Sequence, residues 1–501
     1  MRLLSFFLTV LLTGTLAAQP VEPTQVRAAL EELNEFLAIP NFGLNRADID
    51  RNLRWLDAAF QQRGFAAQTL ETTGNPLFFA AREVGDELPT ILFYMHLDGQ
   101  AVDPGKWDQS SPYQPVVKKR DANGAWTPID TTEWNALDRE WRVFARSASD
   151  DKGPIVGFLH AMDALRADGQ SPAFNVKVIL DAEEELGSRP LAAAVERYRD
   201  LLDADALLIH DGPVHLSGQP SLMFGCRGIT SVNLTVYGPG KPQHSGHYGN
   251  YAPNPVFRLA HLLASMKDED GRVLIDGYYD GIDLDAATRA VLAGVPDDTT
   301  QIFQTLQINQ PERVGANYQE ALQYPSFNAR GIRAAYVGAQ ARTVVPDVAT
   351  VAIDMRLVPE SDPAKLVAAL RRHIEAQGYH LVDREPTLEE RLRHPKLAFL
   401  SQGGVTLPFR TDLDAPIGTW TGEVIRREFE QEPVRVRIMG GTVPIAGFIR
   451  ALDVPALVVP VVNSDNNQHS PNENLRLGNL AYGIRLFRAI LGTEASELVQ
   501  R

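Results

Sequence analysis

The chain has 501 residues, and its formal net charge of −15 argues against a phosphate backbone as its main partner. Hydrophobic residues at 44% and charged residues at 22% are the values of a globular protein, which excludes wholesale disorder. A single cysteine, Cys226, excludes an intramolecular disulfide and a cysteine-based zinc site.

The first twenty residues read as a secretory signal peptide. Arg2 and the amino terminus make a short positive start. Residues 3–12 are apolar but too short to span a bilayer, and Thr15, Ala17 and Ala18 supply small side chains for cleavage. No cysteine follows for lipid attachment, and no later run of about 18 apolar residues exists. The expectation is a secreted or periplasmic protein with no membrane anchor after signal cleavage at residue 18.

Helical periodicity covers 24–37, with Val26, Leu30, Leu33 and Leu37 on one face. It returns over 47–63 through Ile49, Leu53, Leu56 and Phe60, until Gly64 stops it. Apolar runs of strand length follow at 90–95, 175–180, 205–209 and 454–462, with helical segments at 155–167, 191–202 and 420–430. Strands buried on both faces and alternating with helices predict an α/β fold with a mostly parallel central sheet flanked by helices. From about Gly225 the texture changes. Residues 229–237 and 349–357 alternate like half-exposed strands, while 254–266 and 363–377 read as helices. This predicts an inserted α+β lid or dimerisation domain at 225–400, splitting a catalytic domain into 19–224 and 401–501. Residues 268–323 show no clear pattern.

The chemistry lies just past the core strands. The first is followed by His96-Leu97-Asp98, the second by Glu183-Glu184-Glu185, the third by His210-Asp211-Gly212, and the fourth by Gln468-His469-Ser470. Ser149-Asp150-Asp151-Lys152-Gly153 precedes a helix. In open α/β sheets ligands bind outside the carboxyl ends of the strands. Imidazole and carboxylate without thiolate suit zinc, or manganese or cobalt. Two histidines and three carboxylates suffice for two metals sharing a bridging carboxylate, a pair that sits roughly 3.5–4 Å apart and clamps a hydrolytic water. Glu184 is the spare carboxylate beside Glu185, a natural general base. Asp98 faces the same side as His96 and can orient its ring. Taken singly, an acidic run reads as a solvated face and an Asp-Gly as a turn; their shared position past the strands gives them weight.

With those residues in place, the chain resembles the two-zinc exopeptidase family of aminoacylases, glutamate carboxypeptidases and dipeptidases. It is most similar to the carnosinase and cytosolic non-specific dipeptidase branch. Further motifs carry the resemblance: Gln243-His244-Ser245-Gly246, Tyr324-Pro325-Ser326, Thr343-Val344-Val345-Pro346, Arg356-Leu357-Val358-Pro359 and Gly440-Gly441-Thr442-Val443-Pro444. The resemblance implies that Asp150 bridges two divalent ions, most often Zn2+, and that its bond to Asp151 is cis. It implies that His96 and Asp211 complete one metal site and Glu185 and His469 the other. Glu184 is then the base and Asp98 the support of His96. His244 stabilises the oxyanion, often from the partner subunit of a homodimer. Arg356 holds the substrate carboxylate, with Thr343 and Thr442 as further substrate contacts.

Some positions depart from the family pattern. His210 competes with Asp211 as a ligand, and Asp211 is preferred because the dipeptidase branch has aspartate there. Thr442 stands where a serine is common. The stretch 103–141 is long and carries Trp107, Trp126, Trp134 and Trp141, which either shape a substrate pocket or pack a surface loop. His380 and His394 are candidates for a further family histidine, and neither is assigned. The leading expectation is a metal-dependent exopeptidase acting on dipeptides or short peptides. An N-acyl amino acid deacylase or a carboxypeptidase on the same site is the alternative, and a non-catalytic binding protein is a third.

Overall fold

The computed structural model describes residues 21–498. The expected signal peptide lies outside the described residues. The first helix, Pro23–Leu37, starts on a proline, whose missing N–H is no loss in a first turn. It buries Val26, Leu30, Leu33 and Leu37, the face its periodicity predicts, together with Phe36. Helix Arg46–Gln61 buries Ile49, Leu53, Leu56 and Phe60 and gives way to Gly64, whose φ of +80° suits glycine.

An eight-stranded sheet forms the centre. Its order is Ala66–Leu70, Leu77–Arg82, Asn175–Asp181, Thr90–His96, Ala206–Ile209, Ala456–Val458, Ser221–Met223 and Val434–Val436. Asn175–Asp181, Thr90–His96, Ala206–Ile209 and Ala456–Val458 run parallel, as predicted, and an antiparallel hairpin extends one edge. Successive side chains of the central strand go to opposite faces. Ile91, Phe93 and Met95 join the layer of helices Pro23–Leu37, Lys152–Ala167 and Leu477–Leu491. Leu92 and Tyr94 join the layer of Leu191–Arg197 and Ala446–Leu452.

Two elements differ from the sequence reading. The run 454–462 yields only the strand Ala456–Val458, because it lies between Pro455 and Pro460, and Pro460 has no N–H for a ladder. The segment 191–202 forms two short helices, Leu191–Arg197 and Arg199–Leu202.

A second sheet has five strands in the order Asn328–Ala334, Val348–Leu357, Gly228–Tyr237, Leu397–Thr406 and His380–Val382. Every second residue of Val348–Leu357 is buried, under helices Pro255–Met266 and Pro363–Ala376. Strand Leu397–Thr406 runs through residue 400, where the sequence reading ends the insertion. The patternless stretch 268–323 holds three short helices, Ala286–Ala293, Thr299–Leu306 and Tyr318–Ala321.

A third sheet, of four antiparallel strands, joins Val116–Arg120, Trp126–Pro128 and Arg142–Phe144 to Asn474–Arg476. The long stretch 103–141 is thereby tied to the segment that follows His469. Trp107 and Trp134 are buried in it.

Candidate metal centre

His96 is the last residue of strand Thr90–His96 and is fully buried. Its Nε2 lies 2.8 Å from Asp150 Oδ1, and its Nδ1 lies 3.5 Å from Asp98 Oδ1. Asp98 also accepts the backbone N–H of Glu184 at 3.1 Å and of Glu185 at 3.2 Å. One buried carboxylate thus orients the histidine and anchors the acidic turn. His469 Nε2 lies 3.0 Å from Asp150 Oδ2 and 3.2 Å from Glu185 Oε2. Gln100 donates to the same Glu185 oxygen at 2.6 Å.

Two overlapping donor triads result, His96–Asp150–Asp211 and Asp150–Glu185–His469, each with its ligand atoms within 4.8 Å of one another. Asp150 belongs to both. Its peptide bond to Asp151 is cis. Among the described residues no lysine or arginine pairs with Asp150, Asp211, Glu184 or Glu185. A crowd of buried carboxylates balanced only by two histidines calls for added positive charge. The donor set of imidazole and carboxylate oxygen therefore fits divalent ions.

The electrostatics follow from this crowding. Burial, with Asp211, Asp150 and Glu185 nearby, pushes Glu184 well above the usual carboxylate range. Burial also raises Asp211 and Asp98, each to about 6. Burial opposes ionisation of Asp150 too, yet hydrogen bonds from His469 and His96 hold it low. Hydrogen bonds to Asp150 and Glu185 raise His469 to about 10.

The loop carrying Asp150 is held by a residue the sequence reading missed. Glu473 is fully buried and receives Arg146 Nη1 at 2.6 Å. It also accepts the backbone N–H groups of Ser147 at 3.0 Å, Ser149 at 3.1 Å and Asp150 at 3.1 Å, and the Ser149 hydroxyl at 3.0 Å. Nothing local marks Glu473; its partners lie over 320 positions away in sequence. Gly153 closes the loop, since a Cβ there would meet the Ala148 carbonyl at 2.3 Å.

Beside the triads lies a cavity of about 760 Å³. Asp150, Glu184, Asp211 and His469 line one part, and Arg227, Arg356 and Thr442 another. Arg356 Nη1 donates to the Thr442 hydroxyl at 2.6 Å. His244 and Thr343 are not on this cavity. They sit together on a two-stranded ribbon, where Ser245 N–H donates to Thr343 O at 2.9 Å, and both are exposed. The His244 Nδ1 accepts the Gly246 N–H at 3.1 Å, which leaves Nε2 as the free donor of the neutral ring.

The open choices also receive positions. His210 turns into the core, donates Nδ1–H to Val459 O at 2.8 Å, and packs against Phe93 and Phe487. Burial lowers it to about 3. Asp211, one residue on, faces the triads. His380 and His394 stack on each other at 3.7 Å between ring centroids, away from the cavity. None of Trp107, Trp126, Trp134 and Trp141 lines the cavity. Trp134 and Trp141 pack instead against the core layer that contains helix Pro23–Leu37.

Residues 92–493 match the profile of Peptidase family M20/M25/M40. The chain belongs to this family. It is a peptidase, and so a hydrolase. A Beta-Ala-His dipeptidase of Mus musculus is 27% identical over 423 residues, 83% of this peptidase and 79% of its own length. A Cys-Gly metallodipeptidase of Schizosaccharomyces pombe is 27% identical over 415 residues, 79% of this chain and 78% of its own. These relatives are of the branch to which the motifs point. Among solved structures, an M20 family metallo-carboxypeptidase of Sulfolobus solfataricus superposes with a TM-score of 0.73 at 26% identity, over 94% of this chain and 99% of its own. Human carnosine dipeptidase 1 superposes at 0.70 and 22% identity, over 96% and 100%. At that identity the likeness to the human structure speaks for the fold alone.

Proposed function

We propose that this peptidase is an exported, metal-dependent dipeptidase that uses two divalent ions, most suitably Zn2+, with Mn2+ or Co2+ as substitutes. The observation that carries the reading is Asp150 shared between two donor triads, beside a cavity also lined by Arg356 and Thr442. Export rests on the sequence of the first twenty residues.

His96, Asp150 and Asp211 would hold one ion and Asp150, Glu185 and His469 the other. When bound, the ions polarise the scissile carbonyl and acidify the attacking water. Glu184, raised by burial among carboxylates, takes the water's proton and returns it to the leaving amine. Asp98 keeps His96 oriented. Arg356 and the Thr442 hydroxyl bind the substrate's free carboxylate through charge-assisted hydrogen bonds. His244 and Thr343, exposed on their ribbon, serve the cavity of a second copy in a homodimer. The inserted module is then both lid and dimerisation element.

A carboxypeptidase or an N-acyl amino acid deacylase would use the same carboxylate reader. The test is release of free amino acids from dipeptides, tripeptides and N-acetyl amino acids, with bound metal quantified in the same sample. Dipeptide cleavage at about two metals per chain supports the reading. Cleavage of acyl amino acids alone moves the protein to the deacylase reading. Cleavage of longer peptides at equal rate moves it to the carboxypeptidase one.

A further inference from the structure

Two guanidinium groups line the cavity, and the carboxylate of a dipeptide needs only one. Arg356 has Thr442 as its hydrogen-bond partner. Arg227 is only 7% exposed, yet it still forms part of the cavity wall. Its Nη2 donates to the Tyr324 carbonyl at 2.6 Å, and its Nε is buried with no hydrogen-bond partner. Neither arginine lies within ion-pair distance of a carboxylate among the described residues. Burial and then repulsion from Arg356 lower the Arg227 guanidinium to about 10.

A buried guanidinium without a counter-charge is costly, and a ligand that supplies the charge recovers that cost. The main-chain carboxylate of a substrate neutralises one of the two arginines. One positive charge then remains in a largely desolvated wall whose other members include Met223, Leu322 and Met439.

We infer that Arg227 is a specificity-determining residue that binds a second carboxylate, on the side chain of the substrate's C-terminal residue. The preferred substrates are thus dipeptides ending in aspartate or glutamate. This inference rests on the proposed dipeptidase reading. Arg227 also braces Tyr324, two residues before Ser326, whose hydroxyl accepts the Arg356 backbone N–H at 3.2 Å. A purely structural role would lower turnover of all substrates alike, whereas carboxylate binding changes a ratio between substrates.

The experiment measures kcat/KM for Gly-Glu and Gly-Gln with the metal-loaded wild type, Arg227→Met and Arg227→Lys, after melting curves establish that each variant folds. The wild type should favour Gly-Glu by about tenfold or more. Arg227→Met should bring the ratio to within about twofold of one, and Arg227→Lys should keep part of it. A wild-type ratio near one, or a ratio that survives in Arg227→Met, overturns the inference while leaving the dipeptidase reading intact. Calorimetry with free glutamate and glutamine gives the same comparison without turnover. Tighter glutamate binding that depends on Arg227, in a protein that cleaves no dipeptide, supports the anion site and sinks the dipeptidase reading. Equal binding of the two amino acids in that protein overturns both.

Discussion

One turn of 3-10 helix gives three consecutive glutamates three different surroundings. Glu183 accepts the Asn75 N–H, Glu184 lines the cavity, and Glu185 meets His469, before Gly187 ends the turn at a φ of +93°. Glu183 and Glu184 both stand outside the donor triads, and of the two only Glu184 lines the cavity. Glu184→Gln should therefore keep its metal while turnover falls about a thousandfold or more. Glu473→Gln should behave in the opposite sense. It removes the charge that gathers Arg146 and the Ser147–Asp150 backbone, so Asp150 is less well placed and metal affinity falls by about 10- to 100-fold. Dye-competition titration of metal binding, beside initial rates, checks both; an unchanged affinity in Glu473→Gln refutes its role. At this scale the ligand candidates were legible because four of them follow core strands, while Asp150 comes just before a helix. His210 and Asp211 could be ranked only by resemblance; the fold separates them because neighbouring residues past a strand point to opposite sides. Glu473 and Arg227 were invisible, since each acts through partners far away in sequence.

Helices Pro23–Leu37 and Lys152–Ala167 are tied by one cluster. Arg63 bonds both oxygens of Glu32, at 2.7 and 3.1 Å, and also Asp163 at 2.7 Å, while His160 Nε2 lies 2.7 Å from Glu32. Burial works against the Glu32 charge, but His160 and Arg63 bring its carboxyl down to about 2, from an ordinary 4.5. A depressed carboxylate stabilises the fold above its unfolded value and loses that contribution as pH falls through the folded one. Glu32→Gln should thus cost roughly 1–2 kcal/mol at pH 7, after discounting for partial exposure. The gap in melting temperature from the wild type should close between pH 4.5 and about 2. A gap that stays constant across that range would contradict the assignment. Elements were legible where the apolar signal was long. Thr90–His96 is buried from Ile91 on, and Asn175–Asp181 is buried apart from Asn175 and Lys177. The edge strand Ala66–Leu70 is mostly exposed, Val434–Val436 has three residues, and Val116–Arg120 ends in three basic residues, so none carried a readable pattern.

The whole molecule places its reacting groups in two bodies of sheet. The triads sit at the ends of the eight-stranded sheet, and the His244–Thr343 ribbon stands apart from the cavity, exposed. If His244 serves a partner's site, His244→Ala and Glu184→Gln should each be nearly inactive alone. Mixed and allowed to exchange subunits, they should recover about a quarter of wild-type activity, because half the dimers are hybrids and each hybrid has one complete site. No recovery, in a mixture shown to contain hybrids, would assign His244 to its own chain. The distance along the chain between donors has another consequence. His96 belongs to an early strand, while His469 and Glu473, the brace of the Asp150 loop, come near the other end. A nascent chain that stops short of them has no complete hydrolytic centre, however well its first half has folded. The centre is thus incomplete until the segment carrying His469 and Glu473 has been made, and that late segment acts as the key that arms it.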